Sequence, residues 1–392
     1  MIDAMARNPV KDQVAIVGVG STGFDRHGTR TSAALATEAA TAAILDAGLT
    51  ARDIDGVVST GEPGAPPPQL LAAMLGLTEV THYPRSTSVV MFALIDAINA
   101  VFSGSADTVL VYNPVLRLPW NSRSANEDPF RRHFSTGVAT IPESMSMAVA
   151  YTAWASRYLY EYRGTREDFG LVTVNARRNG TKNPLATLRT PITMEEYLGA
   201  RMIREPFCML DMDIPTDGAD AFVVTTAERS RSLARPPVLV HAATTGTAPC
   251  PAEDQLADLG HHGQHVVAKN LKAKSDLWLD DVDVFLPYDG FTIITLGWIE
   301  NLGWCGPGEA GDFLRAHWDE ATNRVLINGR IPVNPHGGAL AEGATRGSGY
   351  VREAVRQLRG EAEDRQVPGA KTALVTAGGF FFNSQGLVLR AG

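Results

Sequence analysis

A chain of 392 residues with 44% hydrophobic side chains can bury a large core, either as one α/β body or as two or three domain-sized units. Its 43 acidic and 35 basic side chains give a net charge of −8 without a basic stripe, which argues against nucleic-acid binding. No apolar run reaches the roughly 18 residues that a membrane span needs. The first residues also lack the apolar core of a signal peptide, so we predict a cytoplasmic protein.

The three cysteines, Cys208, Cys250 and Cys305, are widely spaced and form no CxxC pair. A sparse, odd count of this kind is typical of a reducing compartment. It argues against a disulfide scaffold and against a zinc site built from cysteines.

The first elements follow the alternation of strands and helices that is typical of a parallel sheet. The apolar run 14–19 predicts a buried strand, and the alanine-rich segment 31–47 predicts a helix that ends before a glycine. A second strand is predicted to begin at 55–58. Residues 88–102 are apolar almost all round, which predicts a helix inside the protein, and 106–112 predicts the next strand. This order predicts a doubly wound α/β sheet.

The middle of the chain differs in composition from the first part. Between 114 and 215, aromatic residues, arginine and proline increase while strand patterns decrease. Helices are predicted over 145–163 and 165–178, so we interpret 114–215 as a mainly helical insertion. A strand at 222–226 then returns the chain to the first half, which we define as 1–113 together with 216–230.

The remaining residues, 231–392, repeat the order of the first half. The predicted elements are strands at 237–242, 282–286, 372–376 and 386–390 and helices at 265–274 and 339–358. The same order twice predicts two pseudo-equivalent halves that are similar in pattern rather than in strict sequence.

Three motifs that look like ligand sites are interpreted as structural. Residues 18–23 match GxGxxG, but the predicted helix starts near Thr31 and not at the glycines, where a pyrophosphate site needs it. The aspartates of 211–220 lack the spacing of a calcium loop, so we expect a solvated loop that runs into a strand. The histidines of 261–265 lack a further metal ligand and predict a surface turn before a helix.

A set of sequence blocks occurs in a fixed order along the chain. The blocks are VAIVGVGSTGF from 14, DAGL before DIDGVV, SGSADTVLV at 103–111, NPLATLRTPIT at 183–193, DGADAFVV at 217–224, YDGF at 288–291, NPHGG at 334–338, VRQLRG at 355–360 and AGG at 377–379. Together they resemble the thiolase superfamily, and within it the lipid-transfer-protein-like thiolases, over nearly the whole length. The resemblance implies a thiolase fold of two βαβαβαββ halves in an α-β-α-β-α arrangement, and a homodimer.

The departures from that family concern its acyl-transfer residues. Thiolases carry a cysteine at the start of the buried helix, where the helix N-terminus and a histidine favour the thiolate, and this position falls on Thr87. The family's second cysteine precedes two glycines, and here the motif reads AGG at 377–379. The segment that holds the family's histidine is here 343–345, without a histidine. The resemblance therefore implies a retained fold without the cysteine and histidine chemistry.

One position carries a reactive group instead. The family has Asn or His at the start of a motif that here begins with Tyr288 and Asp289. Relatives with a tyrosine there resemble retro-aldolases that act on β-hydroxyacyl-CoA thioesters, some of which shorten steroid side chains, and they work with a small OB-fold partner of the DUF35 type. Those relatives use a second tyrosine at the position of Ala344, and in this chain Tyr350 follows six residues later.

The resemblance implies a set of candidate site residues around Tyr288, which we assign as the acid/base group. The others are His336 as its polar partner, Asp289 as an orienting group or a cap of the following helix, Tyr350 as a second phenol, Gly378 and Gly379 as backbone donors to an enolate oxygen, and Ser86, Thr87 and Ala344 as substrate contacts. No metal or separate cofactor is expected, since coenzyme A arrives with the substrate. A DUF35 partner would make a heterotetramer.

Two other functions remain open at this point. A cysteine-less acyltransferase or decarboxylating condensing enzyme would form a covalent adduct at Thr87 or Ser86. A non-catalytic subunit that binds an acyl-CoA or a partner would lose no rate when Tyr288 is replaced by Phe. Fold membership does not choose among these functions.

Overall fold

The computed structural model describes residues 7–26, 28–62, 64–86, 89–116, 147–247, 258–379 and 384–392. Thr87 and Cys250, which the sequence analysis singled out, lie outside the described residues, as does 117–146 of the proposed insertion.

The described strands alternate with helices through most of the chain. The strands are β1 Val14–Asp25, β2 Gly56–Ser59, β3 Thr108–Val115, β4 Met202–Arg204, β5 Phe207–Cys208, β6 Asp217–Thr226, β7 Val238–Gly246, β8 Val284–Leu286, β9 Trp318–Asp319, β10 Arg324–Ile327, β11 Ile331–Pro332, β12 Thr372–Ala377 and β13 Ser384–Ala391. The α-helices are α1 Ser32–Asp46, α2 Pro68–Leu75, α3 Val90–Ser103, α4 Met147–Tyr162, α5 Arg166–Gly180, α6 Met194–Leu198, α7 Ala227–Ser230, α8 Gly263–Lys274, α9 Thr292–Leu302, α10 Ala310–Ala316, α11 Gly338–Ala341 and α12 Ser348–Arg359.

Eight strands form one continuous ladder in the order β2-β3-β6-β1-β7-β13-β12-β8. Among the first four strands of this order, β2 and β3 are parallel, while β3 with β6 and β6 with β1 are antiparallel. Among the last four strands, β8 and β12 are parallel, while β12 with β13 and β13 with β7 are antiparallel. In the described part of the sheet, the two groups are joined by β1 and β7, where Ala15 and Ile16 pair with Leu239 and Val238. The order is mirrored about this short junction, which confirms the prediction of two pseudo-equivalent halves.

Helices lie on both outer faces and between the halves. α1 packs on β1 and β6, and α8 packs on β7 and β13. α3 and α12 each contact strands of both halves, so they form the central layer. The almost entirely apolar α3 is buried along most of its length, as its sequence predicts. The α-β-α-β-α arrangement is thereby confirmed.

The GxGxxG motif lies inside a strand. β1 runs from residue 14 to residue 25, through all three glycines, and α1 begins only at Ser32. A side chain at Gly20 would collide with the backbone of α1, so this glycine permits close packing of the helix on the strand. The motif is therefore structural, as interpreted from the sequence.

Two expectations are corrected by the structure. The predicted helix 339–358 is two helices, α11 and α12, separated by the segment 342–347. Left-handed backbone at Arg346, with φ 54°, and at Gly347, with φ 89°, causes the break. The segment 211–220 does run into a strand, β6, as predicted, but it is not solvated throughout, because Asp211 and Asp220 are completely buried. Tyr197 and Thr292 donate hydrogen bonds to Asp211, and Arg352 forms an ion pair with Asp220, so both buried carboxyl groups have polar partners inside the protein.

Within the described ranges, no helix has the length and apolar character that crossing a bilayer would require.

Candidate active site

Tyr288 follows β8 after a single proline and precedes α9. It lies at the carboxyl end of a strand in an α/β sheet, where such folds place ligand crevices. The side chain is 9% exposed, and its backbone N–H donates to Thr376 Oγ1 at 3.2 Å. A Cβ on Gly290 would stand 2.9 Å from the phenol oxygen, so this glycine leaves room for the tyrosine. Tyr288 is therefore almost completely buried at the end of the strand.

A second phenol lies beside the first. The rings of Tyr288 and Tyr350 have centroids 5.5 Å apart, at an interplanar angle of 45°. Tyr350, on α12, is completely buried and donates a hydrogen bond to Asp289 Oδ1. The structure thus brings three of the predicted residues into one cluster.

Asp289 caps a different helix from the one expected. Its Oδ1 accepts a hydrogen bond of 2.6 Å from the N–H of Ala339, in the short helix α11. The following helix, α9, has Phe291 at its N-cap and no side-chain cap. Burial raises the pKa of Asp289 to about 7, and the hydrogen bond from Tyr350 opposes that rise. The carboxyl therefore changes its charge near neutral pH.

Among the ring contacts of the described residues, the imidazole of His336 meets Tyr350 and not Tyr288. Its ring meets that of Tyr350 edge to face, with centroids 4.9 Å apart. Neither ring nitrogen has a hydrogen-bond partner among the described residues, and burial lowers the pKa of His336 to about 3. The imidazole is therefore neutral, and Asn183 anchors its backbone by donating to the His336 carbonyl at 2.8 Å.

Arg346 is a site residue that the sequence analysis missed. It lies in the segment 342–347, its guanidinium lies beside the Tyr288 phenol and acts on its charge, and it stands 3.6 Å from the Glu62 carboxylate. Its side chain is 43% exposed, whereas that of Glu62 is 7% exposed. The sequence analysis did not single it out, because this position lay within a segment, 339–358, that was predicted to be mostly helical.

Opposing charges act on the phenol of Tyr288. Burial, followed by the nearby Asp213 carboxylate, raises the pKa of Tyr288 well above its ordinary value. The guanidinium of Arg346 acts in the opposite direction, while Asp289 and Glu62 add to the rise. The phenol is therefore protonated at neutral pH, and Arg346 supplies the positive charge that favours its ionisation.

The remaining candidates lie around this cluster. The N–H of Ser86 donates to the Ser59 carbonyl at 2.8 Å, which extends the edge of the sheet beside β2. Ala344, 9% exposed, belongs to the same segment as Arg346 and donates its N–H to the carbonyl of Ile214 at 2.8 Å. The carbonyl of Arg346 in turn accepts the N–H of Val90 at 3.2 Å, in the first turn of α3. This contact joins the Arg346 segment to the helix that Thr87 precedes.

The glycine pair after β12 lies at the same edge of the sheet as Tyr288. β12 is parallel to β8, with Val375 opposite Leu286, so Gly378 leaves the sheet on the side where Tyr288 does. Gly378 has a left-handed φ of 79°, and the carbonyl of Gly379 accepts a hydrogen bond from Ser384. In the part of the chain that the structure describes, no group of His, Cys, Asp and Glu is arranged to hold a metal.

Comparisons with known proteins agree with this geometry. A family model described as thiolase C-terminal domain-like matches residues 252–391. A 17-hydroxy-3-oxo-4-pregnene-20-carboxyl-CoA lyase of Mycobacterium tuberculosis is 35% identical, over 93% of this chain and 96% of that protein. A steroid side-chain-cleaving aldolase of Thermomonospora curvata is 32% identical, over 96% and 97%. A solved structure of an Ltp2-ChsH2(DUF35) aldolase superposes with a TM-score of 0.87 at 32% identity, covering 98% of this chain and 99% of that one.

The layered fold and the tyrosine at the carboxyl end of β8 define a thiolase-fold protein whose described site is built from phenols, carboxylates and an arginine. The chain belongs to the thiolase superfamily, in the group of the steroid side-chain-cleaving aldolases. It is a carbon–carbon lyase of that group.

Proposed function

We propose that this protein cleaves a β-hydroxyacyl-CoA thioester by a retro-aldol reaction, giving a ketone or aldehyde and a shortened acyl-CoA. A steroid or another bulky side chain is the proposed acyl group, in keeping with the substrates that the two relatives' names state. The observation that carries the proposal is the Tyr288 phenol, placed at the crevice end of β8 beside a second phenol, that of Tyr350, and close to the positive charge of Arg346.

The reaction requires a base at the β-hydroxyl and donors at the thioester oxygen. Tyr288, as the phenolate, accepts the hydroxyl proton, the Cα–Cβ bond breaks, and its electron pair passes to the thioester as an enolate. The same phenol then returns the proton to the α-carbon, so no co-reactant is consumed. Backbone N–H groups at Gly378 and Gly379 are the proposed donors to the enolate oxygen. No covalent acyl intermediate is needed, and we propose that no metal or separate cofactor takes part.

We further propose a DUF35 OB-fold protein as partner. The solved neighbour is by its name an aldolase that contains a DUF35 component, and it covers nearly all of this chain. A homodimer of this chain, carrying two such partners as a heterotetramer, is the assembly we propose. The proposed location is the cytoplasm, in keeping with the sparse cysteines of the sequence.

The test combines the purified chain, with and without a DUF35 partner, and a β-hydroxyacyl-CoA that carries a bulky side chain. Mass spectrometry should detect a ketone or aldehyde together with the shortened acyl-CoA. Tyr288→Phe should lower the rate by roughly 10²–10⁴-fold, the usual contribution of a general acid/base. Tyr160→Phe is the control, because Tyr160 is 87% exposed.

Two results would support the other functions instead. An acyl group bonded to Ser86 or Thr87, found by intact-protein mass spectrometry, would indicate an acyltransferase. Tight acyl-CoA binding without cleavage, unchanged in Tyr288→Phe, would indicate a binding subunit.

A further inference from the structure

Arg346 is held in place by the backbone of its own segment. Its φ of 54° lies in the left-handed region, which a non-glycine residue adopts only where the surroundings impose it. The preceding carbonyl, that of Thr345, accepts a hydrogen bond of 2.8 Å from Asn113 Nδ2 in β3. The Arg346 carbonyl accepts the N–H of Val90, at the start of α3. Two contacts with the first half of the chain, one from β3 and one from α3, therefore fix the direction from which the side chain leaves the backbone.

A buried ion network braces the two ends of the same segment. Arg352, on α12, pairs with Asp220 of β6 and with Glu342, the first residue of 342–347. Ser348, which follows the segment, donates to Asp220 Oδ2 at 2.6 Å. All four side chains are 2% exposed or less. The segment that carries Arg346 is therefore rigid at both ends.

The guanidinium connects the interior of the site with solvent. On one side it lies 3.6 Å from the buried Glu62 carboxylate and beside the nearly buried Tyr288 phenol, and on the other 43% of the side chain is exposed. An arginine presents several donors in a fixed plane, so it can bond the phenol and Glu62 together. Ala344, two residues earlier, has no group that could take this role.

We propose that Arg346 is the positioning residue of Tyr288: its guanidinium orients the phenol and stabilises the phenolate that accepts the proton of the substrate's β-hydroxyl. The inference rests on the proposed retro-aldol function and names the group that makes Tyr288 a competent base. Glu62 holds the guanidinium in place and moderates its charge.

Besides Arg346, the charged and titratable groups around Tyr288 are its neighbour Asp289 and one group from each of three other segments. Asp213 precedes β6, Glu62 follows β2, Asp289 follows β8 and Tyr350 lies on α12. The carboxylates of Asp213, Asp289 and Glu62 disfavour the Tyr288 phenolate, and Tyr350 is itself a protonated phenol. Among these described neighbours, Arg346 alone favours the Tyr288 phenolate. Loss of its charge must therefore make the phenolate harder to form.

The test compares Arg346→Gln, which removes the charge, with Arg346→Lys, which keeps it. The rising limb of the kcat–pH profile should move to higher pH in Arg346→Gln by about one unit, so that kcat at a fixed pH on this limb falls about tenfold. KM should change little, because the guanidinium acts on the phenol. Arg346→Lys should recover part of the loss. Glu62→Gln should move the limb to lower pH, because it removes a negative charge next to the guanidinium.

Arg330→Gln is the matched control for this series. Arg330 has a similarly exposed side chain, 46%, and an ion pair of 3.3 Å with Asp283. Its profile should coincide with that of the unmodified protein. The inference would be overturned if the kcat–pH profile of Arg346→Gln also coincided with that of the unmodified protein. It would likewise be overturned if the rising limbs of Arg346→Gln and Glu62→Gln moved in the same direction. In both cases the proposed function would stand.

A second readout needs no substrate. The ultraviolet absorbance of the Tyr288 phenolate is obtained by subtracting the spectrum of Tyr288→Phe at each pH. It should begin to rise at higher pH in Arg346→Gln than in the unmodified protein. If the unmodified protein with its partner cleaves nothing, the proposed function fails, and this absorbance alone decides the inference: equal onsets refute it and a delayed onset supports it.

Discussion

Tyr350 donates a hydrogen bond to Asp289 Oδ1, and both side chains are completely buried. The same phenol oxygen accepts the N–H groups of Asp289 and Ala339 at 3.2 and 3.0 Å. One donor and two acceptor positions are the full capacity of a tyrosine hydroxyl. We therefore infer that Tyr350 positions Asp289 and the start of α11, while Tyr288, which lies close to the positive charge of Arg346, transfers the proton.

Replacement of Tyr350 by Phe should lower stability more than activity. It removes the donor to a buried carboxyl and the acceptor of the Asp289 N–H, and a buried polar group left without its partner costs roughly 1–3 kcal/mol. Urea unfolding should show this loss, whereas the exposed Tyr160→Phe should stay within about 0.5 kcal/mol of the unmodified protein. Cleavage should remain measurable in Tyr350→Phe. A rate as low as that of Tyr288→Phe at undiminished stability would instead assign the proton transfer to Tyr350.

Replacement of Asp289 by Asn should alter the pH dependence of stability. Burial raises the pKa of Asp289 from 3.8 to about 7, so the folded state binds this proton more tightly than the unfolded chain. The contribution of Asp289 to the free energy of unfolding is therefore fully present below pH 3.8, and it is lost as the pH rises to about 7. The amide keeps an acceptor for Tyr350 and carries no charge at any of these pH values.

The free energy of unfolding, measured by urea at a series of pH values, checks this prediction. The difference between Asp289→Asn and the unmodified protein should grow in favour of Asp289→Asn between about pH 4 and 7 and then level off. A difference that is constant over this range would show that Asp289 is ionised throughout.

The sequence predicted where in the fold the site lies better than it predicted which residues form it. The apolar run before Tyr288 and the helix after it place this residue at a strand end, and both are local patterns. Arg346 and Glu62 are 284 positions apart in the chain, and each lies in a loop of a different half. The burial of Asp220 likewise depends on Arg352, 132 residues away. Hydrophobic periodicity carries no information on such pairings, which is why these groups were missed or misread.

Replacement of Gly338 by Ala should disturb Asp289 directly. Gly338 has a left-handed φ of 59°, and a Cβ on it would overlap the Asp289 carboxylate. Gly329 is the matched control, because it has a similar φ of 68° and nothing within 4 Å of its Cβ position. Gly329→Ala should therefore cost only the backbone strain, about 1–2 kcal/mol.

Gly338→Ala should lose roughly 1–3 kcal/mol more stability than Gly329→Ala, because the new methyl group displaces the Asp289 carboxylate from its hydrogen bonds. Its cleavage rate should also fall, whereas that of Gly329→Ala should not. Thermal unfolding and the cleavage assay measure the two effects. Equal losses of stability in both variants would mean that the Asp289 carboxylate moves aside without cost.

Replacement of Arg352 by Met should be the most destabilising change proposed. It leaves Asp220 and Glu342 buried without a counter-charge, and breaking a buried pair in this way typically costs 3–5 kcal/mol. Arg30→Met, which breaks the exposed pair with Glu38, should cost less than about 1 kcal/mol. Adding Asp220→Asn and Glu342→Gln to Arg352→Met should restore part of the loss, since no unpaired charge then remains. If the triple replacement is no more stable than Arg352→Met, the cost arises from lost packing of the arginine and not from the stranded carboxylates.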